Sequence, residues 1–266
     1  MASNKNDARR QHLLFIGVVC VMLMVVVGSV LFFVALYGGS GSPSQVRRTT
    51  ATATATAASP TAVLQPTPQV LCYDYFLDNQ KGWATGDAAG YVRAVAGGQL
   101  TLSVTNHKPL IESMPTGCMT RDFSDFSLTL TLTMLQADRH DSVGLYVRGD
   151  SNLDHDYRID IFGDGSYCVS KEWLDESNNQ IRTMLVVPTY TEALQPVGKE
   201  NTITVMMKGS TMVLLINGKV VKEVTDTDYT HGQAALFIDH GGTSQVVTAT
   251  FSSIAIATAP DTLQGG

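Results

Sequence analysis

Charged and aromatic side chains recur at every second position in three neighbouring segments of the chain. Arg158 and Asp160 alternate with apolar residues in YRIDIF, and Glu172 follows in SYCVSKEWL. Tyr146 and Arg148 alternate in the same way in SVGLYVRG. Guanidinium and carboxylate groups suit the vicinal hydroxyl groups of a sugar, and an aromatic ring suits its apolar face. These five side chains therefore predict a carbohydrate-binding surface on the outward face of one sheet.

Trp173 is the sixth candidate for this surface. It follows Glu172 directly and lies close to the polar run DESNNQ, so its ring is placed to stack on a sugar beside a loop. Burial of the ring is an equally good interpretation. For the whole set, the alternative to ligand binding is a ladder of cross-strand ion pairs on a solvated sheet face.

The turn at residues 163–165 sets the register of this surface. Its sequence, Gly-Asp-Gly between two apolar runs, is typical of a hairpin. Antiparallel pairing around it places Ile161 opposite Tyr167 and Ile159 opposite Val169 on one face. The other face then carries four polar residues, which are Arg158, Asp160, Ser170 and Glu172.

Two short motifs nearby point to other ligands. Arg148-Gly149-Asp150 spells the tripeptide that integrins recognise, but Arg148 belongs to a predicted strand, so we set this interpretation aside. Calcium is a possible cofactor, because oxygen-bearing side chains recur nearby, at Asp150, Asn152, Asp154, Asp156 and Asp160. The run lacks the glycine and the terminal glutamate of an EF-hand, so a solvated acidic loop fits it better.

Period-two alternation dominates the chain after residue 69. It is clearest in FSLTLTLTM, where Phe126 to Met134 alternate with serine and threonine, as in a strand with one wet face. Similar alternation marks residues 99–105, 142–148, 157–162, 166–173, 202–208, 234–239 and 246–256. Asn217-Gly218 in LLINGKVV is a strong hairpin signal, and a further hairpin is expected at residues 208–210. The pattern predicts an all-β, two-sheet antiparallel sandwich.

Three blocks of this region carry a family resemblance: FLDNQKGW, GLYVRGDSN with YRIDIFGDGSY, and NTITVMMKGSTMVLLINGKVVKEVTDTDYTHGQAALFIDHGG with ATFSSIAIA. Together they resemble the concanavalin A-like lectin/glucanase superfamily, and within it the laminin-G-like and 3-keto-disaccharide hydrolase type of jelly roll. The resemblance implies a jelly-roll sandwich. Members commonly bind carbohydrate and some cleave it, so the fold alone assigns neither role.

A catalytic site is not evident in the sequence. Glucanases of this superfamily place paired carboxylates on one strand as Glu-x-Asp-x-Glu or Glu-x-Asp-x-x-Glu, whereas residues 172–176 read EWLDE. Glycoside hydrolysis needs two carboxylates facing one sugar, roughly 5–9 Å apart. No nucleophile elbow is present for a serine triad either. We therefore expect binding without catalysis.

An apolar run from Leu13 to Tyr37 predicts a single transmembrane helix, since about 20 helical residues cross a bilayer. Residues 1–12 carry Lys5, Arg9 and Arg10, which favours a cytoplasmic tail and an extracytoplasmic remainder. A cleaved secretory signal is the alternative, although its apolar region is usually shorter. Residues 38–68, rich in Thr, Ala and Pro, are expected to form a disordered stalk.

The remaining residues suffice for one domain, which we place at 69–260, followed by a flexible tail at 261–266. Residues 69–266 hold 23 of the 24 acidic and 13 of the 18 basic side chains, a net charge of about −10 before histidines. This charge argues against a nucleic-acid partner. Outside the predicted span lie three cysteines, among which we expect Cys72 to pair with Cys118 and Cys168 to remain free.

Together these features predict a membrane-anchored, extracytoplasmic, lectin-like module that binds a glycan or another cell-envelope ligand. One alternative is a glycoside or keto-glycoside hydrolase of the same fold. The other is a structural or adhesive envelope protein without a small ligand.

Overall fold

The structure is a computed structural model, which describes residues 67–115, 118 and 122–263. The predicted tail at 1–12, the span from Leu13 to Tyr37 and the stalk up to residue 66 lie outside this part of the chain. Within it, none of the helical structure has the length and apolar character that crossing a membrane requires.

The described residues form fifteen β-strands. In chain order they are β1 Val70–Asp74, β2 Gly86–Ala88, β3 Tyr91–Ala96, β4 Gln99–Val104, β5 Leu110–Ser113, β6 Phe126–Gln136, β7 Ser142–Gly149, β8 Asp156–Phe162, β9 Ser166–Leu174, β10 Gln180–Tyr190, β11 Glu200–Lys208, β12 Thr211–Ile216, β13 Lys219–Thr225, β14 Gln233–Asp239 and β15 Val247–Thr258. All eight segments that alternate in the sequence are strands.

The strands build two antiparallel sheets, as the sequence predicted. The first sheet has nine strands in the order β13-β12-β11-β6-β15-β4-β3-β2, with β1 paired to β15. The second has six strands in the order β10-β9-β8-β7-β14-β5. Every second residue of β6, from Phe126 to Met134, is buried in the core that joins the sheets. Burial of each such side chain favours folding by about 2 kcal/mol.

The predicted hairpins are present. Asn217 and Gly218 connect β12 to β13 with φ of +50° and +77°, and two positive angles are what such a tight turn requires. The turn at 163–165 connects β8 to β9 and sets the predicted register, with Ile161 opposite Tyr167 and Ile159 opposite Val169. The order of polar and apolar residues on these two strands is therefore the expected one.

A disulfide and a buried tryptophan hold the first strand, β1, in place. Cys72 of β1 forms a disulfide with Cys118, as expected, and Cys168 is free and buried. Trp83 is buried against Phe76, with ring centroids 5.3 Å apart, and its indole N–H donates to Asp74 at 2.7 Å.

Candidate functional site

The outer face of the second sheet, turned away from the first sheet, carries a group of charged residues. Strand pairing places Tyr146 of β7 opposite Arg158 of β8, and Glu172 of β9 opposite Arg182 of β10. Asp160 lies two residues beyond Arg158 on the same face. We call this group, completed by Asp239 of β14, the polar cluster; it comprises Tyr146, Arg158, Asp160, Glu172, Arg182 and Asp239. Four of the six residues that the sequence predicted are in it.

Arg158 is the centre of the polar cluster. Its guanidinium donates to Asp160 at 2.8 Å and to Asp239 at 2.7 Å, and also to the hydroxyl of Tyr146 at 3.1 Å. The same group lies over the ring of Phe237, 4.2 Å from the centroid. Because every branch of the guanidinium has a partner, Arg158 is fixed in one orientation.

Arg182 is the second cation of the polar cluster. It donates to Asp160 and to the hydroxyl of Ser170, and its Nε lies 3.3 Å from Glu172. Glu172 also accepts a hydrogen bond of 2.8 Å from Gln180. Arg158, Asp160 and Glu172 are almost fully buried, whereas the side chain of Arg182 is 29% exposed and that of Asp239 is 27% exposed. The polar cluster therefore meets solvent along its β10 and β14 sides.

The two buried carboxylates differ in their electrostatics. Burial tends to raise the pKa of Asp160, but the charges of Arg158 and Arg182 outweigh it and hold the pKa below its usual value. For Glu172 burial dominates and raises the pKa, although the same two arginines oppose it. Asp160 is thus an ionised partner of both arginines, and Glu172 is the more basic of the two groups.

Asp156 lies beside the polar cluster and differs from every member of it. Its side chain is fully buried, and neither carboxyl oxygen has a hydrogen-bond partner among the described residues. Strand pairing places it opposite Glu172. Burial, and then the negative charge of Glu172, raises the pKa of Asp156 to about 8, so the group is mostly protonated at neutral pH.

Arg148 does not join the surface that the sequence predicted for it. Its φ is +51°, and the pairing of β7 with β14 shifts register at this point, so the alternation of β7 is broken. The buried guanidinium turns away and donates to the carbonyl oxygens of Ser124, Gly209 and Tyr229, at 3.1, 2.8 and 3.0 Å. Arg148 therefore ties the end of β7 to neighbouring loops, and the tripeptide it begins does not present its cation.

Trp173 is also absent from the predicted surface. It pairs with Ile181 in the regular stretch of β9 and β10, one position beyond Glu172, so it lies on the opposite face of the sheet. The ring is partly buried. The structure thus separates Trp173 from the residues it was expected to accompany.

The acidic run after Gly149 does not form a calcium site in the structure. Asp150 accepts hydrogen bonds from the backbone N–H groups of Asn152 and Asp154, so it stabilises its own loop. Asp156 and Asp160 belong instead to the outer face of β8. Among the residues that the structure describes, no group of three or more metal-binding side chains is placed to hold an ion.

Some residues of this site were not predicted, although the sequence pattern around them indicated their positions. Asp156 continues the alternation of Arg158 and Asp160, and Asp239 lies two positions after Phe237 in QAALFID, on the same face of the strand. Arg182 lies in QIRTMLVVPTY, which does not alternate clearly, and β10 shifts register twice against β9. The local sequence pattern therefore did not predict that Arg182 lies in the polar cluster.

Comparison with known proteins places the chain in a family. Residues 77–257 match the family model described as the 3-keto-alpha-glucoside-1,2-lyase-like domain. The chain belongs to this family. A comparison with curated proteins gives no significant match. The matched residues fold as a sandwich of two antiparallel sheets, of the jelly-roll type also seen in the solved structures that resemble it.

Three solved structures illustrate the likeness. The carbohydrate binding module CBM66 from Bacillus subtilis is 14% identical with a TM-score of 0.50, covering 66% of this chain and 96% of that chain. The kappa-carrageenase from Pseudoalteromonas carrageenovora, in complex with an oligotetrasaccharide of kappa-carrageenan, is 9% identical with a TM-score of 0.51. The match covers 76% of this chain and 99% of the carrageenase chain. The mixed linkage glucan GH16 protein from Bacteroides ovatus, in complex with the product G4G4G3G, is 12% identical with a TM-score of 0.50. The match covers 70% of this chain and 99% of the GH16 chain. At these identities the likeness is one of fold.

Replacing Arg148 tests its structural role. Arg148→Met leaves three carbonyl oxygens without their donor, so the free energy of unfolding should fall by about 2–4 kcal/mol. Urea unfolding followed by circular dichroism measures the change. The exposed Lys222→Met provides the control and should change stability by less than about 0.5 kcal/mol. Equal stability of the two variants would contradict the role given to Arg148.

The carboxyl of Asp156 makes stability depend on pH. Its pKa in the folded chain, about 8, exceeds that of an unfolded aspartate, so folding takes up a proton between roughly pH 4 and pH 8. The free energy of unfolding should therefore fall as pH rises through this window, by up to about 1.4 kcal/mol per pH unit from this group. Asp156→Asn should remove that part of the slope and make the protein more stable than wild type at pH 8.

Urea unfolding at one-unit pH intervals measures this slope for wild type, Asp156→Asn and the exposed control Asp87→Asn. The control should follow wild type across the range. A slope that Asp156→Asn leaves unchanged would show that Asp156 ionises normally in the folded protein.

Proposed function

We propose that the polar cluster binds a carbohydrate. The observation that carries the proposal is the fixed arrangement of two guanidinium groups and three carboxylates beside the rings of Tyr146 and Phe237. Such groups offer the paired donors and acceptors that sugar hydroxyls require. Arg182 and Asp239 give a ligand its first contact, because their side chains reach solvent. Membership of the family and its likeness to sugar-binding folds support this choice.

The favoured role is binding without catalysis, and we propose that it takes place outside the cell. The disulfide between Cys72 and Cys118 supports an oxidising compartment, where such bonds persist. The apolar run from Leu13 to Tyr37 supports a membrane anchor, with residues 38–68 as the stalk. A glycan of the cell envelope or its surroundings fits this location and the acidic domain.

Arg182 provides the sharpest test of binding, since its exposed position makes loss of folding less of a concern. Full-length protein is screened on a glycan array and then titrated by calorimetry with a kappa-carrageenan tetrasaccharide and a mixed-linkage glucan tetrasaccharide. Arg182→Ala removes charged hydrogen bonds to the ligand and should weaken binding at least about tenfold. Lys222→Ala, on the edge strand of the other sheet, is the control and should bind as wild type does.

The proposal fails if no glycan on the array binds, or if Arg182→Ala binds a glycan as tightly as wild type. The polar cluster would then be an internal ion-pair network that stabilises the sheet.

Cleavage of a 3-keto-α-glucoside is the second candidate. It is favoured by the match of residues 77–257 to the lyase-like family model. Elimination removes the C2 proton beside the ketone, forms a C1–C2 double bond and breaks the C1–O bond, and the leaving oxygen takes up a proton. The raised pKa of Glu172 suits a group that accepts the C2 proton and returns a proton to the leaving oxygen. Incubation with methyl 3-keto-α-glucoside, followed by mass spectrometry, should release methanol with wild type and not with Glu172→Gln. Absence of release with folded wild-type protein removes this candidate.

A further inference from the structure

Asp156 occupies a position where the regular sheet would provide a cation. The pairing of β7 with β8 runs without interruption to Val147 and Tyr157, so the next pair in register is Arg148 and Asp156. Regular alternation would put both side chains on the outer face, directly opposite each other. The positive φ of Arg148 turns the guanidinium to three loop carbonyls instead. Asp156 therefore lacks the cationic partner, Arg148, that regular pairing of β7 with β8 would place opposite it.

The other neighbour of Asp156 is an acid. Glu172 of β9 pairs with Asp156 from the opposite side. A buried carboxyl without a hydrogen-bond partner destabilises a fold, usually by about 1–3 kcal/mol. A regular β7 would place Arg148 opposite Asp156 as an ion-pair partner, with no change of sequence. An orphaned polar group of this kind, next to a cluster that reaches solvent, points to a ligand as the missing partner.

We propose that Asp156 and Glu172 hold one hydroxyl group of the carbohydrate between them, with the protonated Asp156 as donor and the ionised Glu172 as acceptor. The hydroxyl oxygen accepts the hydrogen of the Asp156 carboxyl, and the hydroxyl hydrogen is donated to a Glu172 oxygen. No bond is broken and no proton is transferred. This inference rests on the proposed function, because it names the groups of the site that contact the sugar.

The charges around Asp156 and Glu172 favour different protonation states for the two carboxyl groups. Glu172 faces both cations of the polar cluster, with Arg182 Nε at 3.3 Å and Arg158 at 3.9 Å, and it accepts from Gln180. Asp156 faces Glu172, and two further acids, Asp150 and Asp154, lie on the adjoining loop. Arg158 is the cation that acts on Asp156. The proton therefore remains on Asp156 while Glu172 stays charged, which is the condition for one donor and one acceptor.

A hydroxyl group suits this pair better than a cation does. A metal ion or an amine would require both carboxyls to be ionised, and burial together with the mutual repulsion of the two acids opposes that state. A hydroxyl both donates and accepts, so it satisfies the two groups as they stand. A ligand would approach the pair from the β10 side, where the exposed Gln180 and Arg182 contact Glu172.

The pH dependence of binding tests the pair. Full-length wild type, Asp156→Asn and the exposed control Asp87→Asn are titrated with the same two tetrasaccharides between pH 6.5 and pH 9.5. If the sugar binds only when Asp156 is protonated, wild-type affinity should fall about thirtyfold over this range. Asp87→Asn should lose affinity as wild type does. Asp156→Asn should show a nearly constant affinity, because its amide donates a hydrogen bond at every pH.

Carbon-13 spectra of aspartate-labelled protein give a measurement that needs no ligand. The resonance missing from Asp156→Asn should titrate near pH 8 in the wild type, and circular dichroism at each pH confirms folding. A resonance that titrates near the ordinary value for aspartate overturns the proposal, and so does a wild-type affinity that stays constant to pH 9.5.

The outcomes separate this inference from the proposed function. If Arg182→Ala loses binding but Asp156→Asn shares the pH dependence of wild type, the sugar site stands and the Asp156–Glu172 pair is wrong. If neither tetrasaccharide nor any glycan on the array binds, the proposed function and the pair both fail, whatever the titration of Asp156 shows.

Discussion

The outer face of the second sheet depends on the backbone angle of one residue, the φ of +51° at Arg148. An L-residue adopts this angle at some energetic cost, so the surrounding contacts must favour it. Here three carbonyl oxygens bind the displaced guanidinium. A regular β7 would put a third arginine on the face and neutralise Asp156. The local distortion thus determines the charge of a surface that extends across five strands.

Arg158 has the opposite role, because its side chain stays on the outer face and joins several strands of the second sheet. Its hydrogen bonds reach Tyr146 on β7 and Asp239 on β14, and Asp160 connects it to Arg182 on β10. Most of this network is buried, where desolvation offsets much of the attraction between paired charges, but the contacts hold each side chain in one orientation. The same rigidity suits recognition, since a ligand meets side chains that are already oriented. The fold and the proposed binding site therefore draw on the same contacts.

Much of the fold was predictable from local pattern. Alternation in FSLTLTLTM or YRIDIF reports which face of a strand is buried, and the turn at 163–165 sets the register between β8 and β9. The site was less predictable. A one-residue irregularity removed Arg148, and nothing in SVGLYVRG marks it. Arg182 and Asp239 reached the site through pairing with β9 and β7, which depends on distant segments and on bulges that local alternation does not encode.

The disulfide also affects how the domain responds to mechanical load. β1 is the first strand, and it pairs with β15, the last, which lies between β6 and β4 in the first sheet. A force applied through the chain ahead of Val70 would peel β1 from β15 one hydrogen bond at a time. Cys72 lies only two residues into the strand, so the force passes through its covalent bond to Cys118 before most of β1 detaches. The bridge is therefore a clamp at the point where a tether would pull.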